Sequence, residues 1–139
     1  MIERVRSIVR EFSGDAIINN PAIPNDKNEK AIDTTAISII EHIQDEARTG
    51  NTHALIDILN KNDDPALNPS VNRVSTGVAG DLVKKLGLDR ATALGVVNKI
   101  IPPIIKKIRS KSTESDKEEF SVHNFFGSIN RADGMLDYV

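Results

Sequence analysis

From Val71 to Lys111 the chain has no cysteine and no aromatic residue, and its apolar side chains recur every three or four positions between interruptions at Gly87 and Pro102-Pro103. That period matches the 3.6-residue turn of a helix and not the two-residue repeat of a strand, so the segment is predicted to be helical. Val71, Val74, Val78, Leu82 and Leu86 mark the buried side of a first helix. Gly77 and Gly80 lie inside it, each about 1 kcal/mol less favourable than Ala there, and imply close approach of another helix. Gly87 is suited to close this helix and Asp89 to cap the next. In that next helix Ala93, Leu94, Val96, Val97, Ile100 and Ile101 are apolar on more than one side, which places it at the centre of the core. Pro102 and Pro103 remove the amides that would bond the carbonyls of Asn98 and Lys99. The helix is therefore expected to kink, or to restart with Pro103 in its first turn and Ile104 to Arg109 as a short amphipathic piece.

The N-terminal half has the same character. Ile2, Val5, Ile8, Val9 and Phe12 share one face of a helix expected to end near Ser13-Gly14, with a left-handed glycine at its end and a further turn capped by Asp15. Residues 19 to 28 hold too many Asn, Pro and Asp for regular structure and read as a loop. Ile32, Ala36, Ile39 or Ile40, Ile43 and Ala47, widened by Ile37, form the stripe of the clearest helix, stopped by Thr49-Gly50-Asn51. Thr52 is placed to cap a following helix with Leu55, Ile56, Ile58 and Leu59 on its apolar side, ended by Asn62-Asp63-Asp64-Pro65. These two helices read as an antiparallel hairpin. From Ser110 to Glu119 the chain is polar and reads as a linker. Phe120, Val122, Phe125, Phe126 and Ile129 then recur at helical spacing and predict an aromatic helix that docks on the core or on a second chain.

A chain of 139 residues is long enough to bury a core of its own. The expected architecture is all-α and multihelical, with two packed helical subdomains: an acidic one over residues 1–68 and a basic one over 69–111, followed by a polar linker and aromatic helix over 112–139. Val71 to Lys111 contains nine basic residues (Arg73, Lys84, Lys85, Arg90, Lys99, Lys106, Lys107, Arg109, Lys111) and two acidic ones (Asp81, Asp89), a local balance of +7 that leaves −9 elsewhere. Such asymmetry either marks a nucleic-acid face or is neutralised by the acidic flanks folding over the basic segment. The absence of Cys fits a reducing cytoplasm. Charge alternates with apolar residues over Met1 to Arg6, which argues against a secretory leader, and no apolar run approaches the roughly 20 residues that span a bilayer.

Chemistry-bearing motifs are missing. His42, His53 and His123 have no ligand spacing with carboxylates on one helical face, so no metal and no cofactor is expected. Asp45-Glu46, Asp63-Asp64 and Glu118-Glu119 are adjacent pairs, which diverge by about 100° on a helix and do not form an acid/base couple. No serine sits in a Gly-x-Ser-x-Gly elbow and no glycine-rich phosphate loop ends in Lys-Ser/Thr; Thr76-Gly77-Val78-Ala79-Gly80 is too short for one. No catalytic residue is assigned, and an enzyme is not expected.

The stretch Asp81 to Asn98 resembles the helix-turn-helix of bacterial repressors. Leu82, Leu86, Leu88, Ala93 and Val96 fall where that motif buries residues, and Gly87 falls at its turn. Val83 stands where the motif prefers a small residue, and Ala91, Leu94 and Gly95 occupy base-reading positions. Contacts to DNA would come from Arg90, Thr92, Asn98 and Lys99, with Lys84 and Lys85 beside them. A second resemblance covers about residues 30 to 110. Val78-Ala79, Leu82, Lys85-Leu86-Gly87-Leu88-Asp89, Ala91-Thr92 and Pro102-Pro103-Ile104-Ile105, preceded by the Ile32-to-Asn60 hairpin with its Gly50 turn, look like the YidB-like family of small bacterial helical proteins of unknown function. That likeness implies a multihelical fold with two subdomains and assigns no activity or site residue. It weakens at the Phe-containing tail, which lacks a glycine-rich ending.

The sequence thus predicts a non-enzymatic, cytoplasmic protein-interaction module, with partner binding or self-association through Phe120, Phe125 and Phe126. The alternative is a helix-turn-helix-like nucleic-acid-binding module using Lys84, Lys85, Arg90, Asn98 and Lys99. A third reading attaches the Ile104-to-Lys111 piece to an anionic membrane surface.

Overall fold

A computed structural model describes residues 2–50, 52–60 and 62–113. All elements among them are helical: α1 (Ile2–Glu11), α2 (Asn28–Gly50), α3 (Thr52–Ile58), α4 (Pro69–Leu86) and α5 (Arg90–Thr113), with a π-turn at Gly14–Ile18 and 3₁₀ turns at Asn25–Lys27 and Pro65–Leu67. The all-α class expected from the sequence is the one observed. Helix α2 packs on α1 and α4, α4 packs on α5, and α5 returns to α1 and the π-turn, so the four long helices close a ring. α3 rests on α2 and α4. One buried apolar cluster runs from Val5 to Ile108 and draws on both the 1–68 and the 69–111 segments. The aromatic tail, with Phe120, Phe125, Phe126 and His123, lies outside the described residues.

Each stripe accounts for its helix. Ile32, Ala36, Ile39 and Ile43 are buried along α2, which settles the choice between Ile39 and Ile40 because Ile40 is only half-buried. Ile37, expected to widen that stripe, instead faces solvent, as does Ile56 on α3. In α4 the five residues the spacing singled out, Val71, Val74, Val78, Leu82 and Leu86, are buried together with Ser70 and Ala79, and Asn68 caps the helix by accepting from the amides of Ser70 and Val71 at 2.9 and 3.1 Å, with Pro69 behind it.

Several local expectations give way. Gly14 is not left-handed; α1 instead runs into a π-turn in which the Ile18 amide donates to Ser13 O (3.0 Å) and the Asn19 amide to Gly14 O (2.8 Å). Asp15 lies inside that turn and does not cap it. α3 begins at Thr52 itself, and α2 starts at Asn28, one residue inside the expected loop. The chain beyond Pro102-Pro103 does not restart: α5 continues through both prolines to Thr113 and takes in the first residues of the expected linker. The reason is packing. Ile100, Ile101, Ile104, Ile105 and Ile108 are all at most 1% exposed. Burying an Ile side chain is worth about 1.5–3 kcal/mol, so the five of this row together outweigh the roughly 3 kcal/mol that each of the two interior prolines costs the helix. The same burial corrects the membrane reading, because the apolar side of Ile104 to Lys111 already faces the core. Among the described residues no helix is long and apolar enough to cross a membrane.

Candidate functional site

The corner between α4 and α5 is a three-residue turn held by local chemistry. Gly87 adopts φ 71°, a left-handed conformation that a Cβ would strain, and its amide donates to Val83 O at 3.0 Å. Leu88 is buried beneath the turn. Asp89 then caps α5: its Oδ1 accepts from the Thr92 amide at 2.7 Å, and its carbonyl accepts from the Ala93 amide at 3.0 Å. Hydrogen bonds from the Thr92 side chain and backbone hold the Asp89 carboxyl below its ordinary range.

Around this corner Lys84, Lys85, Arg90, Asn98 and Lys99 are all exposed, and Thr92 is half-buried. Of the positions that read bases in a helix-turn-helix, Ala91 and Gly95 are exposed and Leu94 is half-buried. Lys84 and Lys85 suit the negative end of the α4 dipole, but Arg90 opens α5, where a cation is disfavoured. The acidic half covers the basic segment only in places. Arg73 pairs with Glu46 (2.9 Å), Lys107 with Glu11 (3.6 Å) and Arg109 with Asp63 (2.8 Å). Among the described residues Lys84, Lys85, Arg90, Lys99 and Lys106 form no ion pair. From the other side of the fold, the ammonium of Lys27 comes to 3.5 Å from the Leu86 carbonyl at the end of α4.

A second polar cluster, invisible in the sequence, joins α2 to α4. Ser38 donates its hydroxyl to Asp81 Oδ2, and His42 Nε2 lies 3.0 Å from the same oxygen, while His42 Nδ1 lies 3.8 Å from Asp45. Ser38 is buried; His42 and Asp81 are about a quarter and a fifth exposed. Burial pushes the Asp81 carboxyl up, but the hydrogen bonds from Ser38 and His42, helped by the charges of His42 and Lys85, outweigh it and hold the group below its ordinary value. The order of contacts is Ser–Asp–His. The hydroxyl proton is directed at a carboxylate that already accepts from the imidazole, and no base is aimed at Ser38, so the cluster ties two helices and does not activate a nucleophile. Gly77 makes room for it: a Cβ there would meet the His42 ring at 2.4 Å. Gly80, for which the same close approach was expected, has nothing within 4 Å of that position.

The third cluster is built on Arg109, which is 3% exposed. Its Nε donates to Ile58 O (2.7 Å), one terminal nitrogen to Asp63 O (2.9 Å) and the other reaches Asp63 Oδ1 (2.8 Å). Asn68 adds bonds to Asp57 O (3.0 Å) and Asp63 Oδ2 (2.7 Å). Together they pin the chain between α3 and α4 onto α5. Among the described residues no group of three or more His, Cys, Asp or Glu side chains converges as a metal site, and His53 is exposed on α3. A shallow cleft of about 230 Å³ lies between the π-turn and α5, lined by Ala16, Asn20, Thr92, Gly95, Val96 and Lys99.

No family model, no curated protein and no solved structure matches this chain.

Proposed function

We propose that the protein is a non-enzymatic interaction module whose contact face is the solvent side of the α4–α5 corner, and that its partner presents an anionic surface. One observation carries this reading: in a chain with more acidic than basic residues, Lys84, Lys85, Arg90, Lys99 and Lys106 stand exposed and without ion pairs among the described residues, while Arg73, Lys107 and Arg109 are paired. Fixed cations on a rigid corner steer an oppositely charged partner and set its register. Contacts through Phe120, Phe125 and Phe126 belong to the same proposal, supported by their helical spacing in the sequence. So do a cytoplasmic setting, which the lack of Cys favours, and kinship with the YidB-like proteins, which rests on the residue pattern of 30 to 110.

A second reading, nucleic-acid binding, is favoured by the left-handed Gly87 and the Asp89 cap, which give the α4–α5 corner the turn that a helix-turn-helix requires. Titrating the purified full chain with polyglutamate and with a DNA duplex at low ionic strength tests both. Binding to either that is abolished by Lys99→Glu together with Arg90→Glu supports the proposed face. A chain that binds neither and sediments as a strict monomer at high concentration rules the module reading out.

A further inference from the structure

We infer that Lys27 completes a phosphate-binding cluster with Lys84, Lys85 and Arg90 at the α4–α5 corner, and that the ligand of this cluster is the backbone of a nucleic-acid duplex, bound without regard to base sequence. The inference rests on the nucleic-acid reading and deepens it.

Lys27 enters from a segment with no sequence relation to the corner. It ends the 3₁₀ turn Asn25–Lys27, fixed there by its own amide donating to Pro24 O at 2.8 Å. Its ammonium stands 3.5 Å from Leu86 O, a carbonyl at the α4 C-terminus left without an intrahelical donor. That contact holds the charge beside Lys84 and Lys85, within the last turn of α4, and across the turn from Arg90. An ammonium carries three donors, and Lys27 remains exposed, so one bond to the helix end leaves donors free for an outside anion. Of the carboxylates near these cations in sequence, Glu29 is paired with Arg10, Asp81 is engaged by Ser38 and His42 although it also feels the Lys85 charge, and the Asp89 oxygen is engaged by the Thr92 amide, which leaves Asp26 beside Lys27. None of the four cations forms an ion pair among the described residues.

The choice of a duplex follows from charge complementarity at a corner built on the left-handed Gly87 and the Asp89 cap. On α5 the exposed cations recur at Lys99 and Lys106, seven residues or about 11 Å apart and on one side of the helix, with Arg90 at its start about half a turn round from them. Cations at the helix start and again along its side suit a polymer that carries charge at regular, closely spaced intervals. The exposed base-reading positions hold Ala91 and Gly95, which offer no side-chain hydrogen bond to a base edge. Contacts to phosphate position a protein and carry no sequence information, so the surface binds and does not discriminate.

The test uses the full chain and two duplexes of unrelated sequence, with binding followed by fluorescence anisotropy over a series of salt concentrations. Wild-type protein is expected to bind both duplexes equally, with log K falling linearly against log salt. Lys27→Ala is expected to weaken binding several-fold at low salt and to reduce the slope by about one phosphate contact, near 0.9. Lys27→Arg should keep the wild-type slope, and Arg73→Ala, which removes a cation far from the corner, should not change it. Far-UV circular dichroism of each variant separates lost contacts from lost fold. If Lys27→Ala behaves like Arg73→Ala while Lys84→Ala and Arg90→Ala weaken binding, Lys27 has no part in the cluster and the nucleic-acid reading survives alone. If wild-type protein binds neither duplex at low salt, that reading and this inference fall together. Binding to polyglutamate or to anionic vesicles without binding to duplex overturns the choice of ligand.

Discussion

The ring of His42 occupies the space that a side chain on Gly77 would need, with three ring atoms between 2.4 and 2.7 Å from the position of the missing Cβ. The ring cannot retreat without leaving Asp81, 3.0 Å from its Nε2. Gly77→Ala is therefore expected to destabilise the protein by about 1–3 kcal/mol, although Ala is the better helix former. Gly80→Ala, three residues away in the same helix with open space above it, should stabilise by about 0.5–1 kcal/mol. Urea midpoints of the two variants decide the matter. Adding His42→Ala to Gly77→Ala should recover part of the loss; equal effects from both glycine substitutions would show that the imidazole does not sit where it is placed here.

Asp81 links the same pair of helices to pH. Its folded-state carboxyl is held below the ordinary value of 3.8, burial being outweighed by the bonds from Ser38 and His42. A depressed carboxylate stabilises above its unfolded value, and that contribution disappears as pH falls through the folded one. The stability gap between wild type and Asp81→Asn should thus be full at about pH 5 and shrink steadily below about pH 4. Chemical denaturation at a series of pH values measures it. A gap unchanged down to about pH 2 would mean that the Asp81 charge contributes nothing to the fold.

Arg109 should be among the least replaceable side chains. Its removal leaves the buried Ile58 O and the partly buried Asp63 O without their donor and frees the segment between α3 and α4. Arg109→Met is expected to lose roughly 2–4 kcal/mol, and Arg109→Lys to recover little, because an ammonium cannot reproduce the planar fork that reaches three acceptors. Thermal melting of both variants checks the ordering, which fails if Lys restores wild-type stability.

Ile104 and Ile101 lie on either side of the prolines and are fully buried. Truncating either to Ala should cost about 2–5 kcal/mol, the range for a buried aliphatic side chain whose site cannot collapse. Ile37→Ala, at a side chain 39% exposed, should fall well short of that. Comparable losses at Ile37 and Ile104 would contradict the placement of α5 in the core.

The helices were legible because a 3.6-residue repeat is written in neighbouring residues: Val71 to Leu86, Leu86-Gly87-Leu88-Asp89 and the Ile32-to-Ile43 stripe each specify their structure locally. The corner residues Lys84, Lys85, Arg90, Asn98 and Lys99 could be picked out from the sequence, but whether the acidic half covers them was decided only by the packing, which leaves all five exposed. Where local rules misled, packing overrode them, as when the buried isoleucines carried α5 through Pro102 and Pro103, or when Ile37 and Ile56 turned outward, away from the other described helices.

The amino-acid sequence by itself determined which segments coil, which side of each is apolar and where the charge of the chain is concentrated. Only the tertiary structure decided which polar groups meet: Ser38 and His42 on Asp81, Arg109 on Asp63 and Ile58 O, and Lys27 at the end of α4. These partners are 39 to 59 residues apart, and their meeting depends on how the helices are packed in the ring, a relation that no periodicity within a single helix encodes.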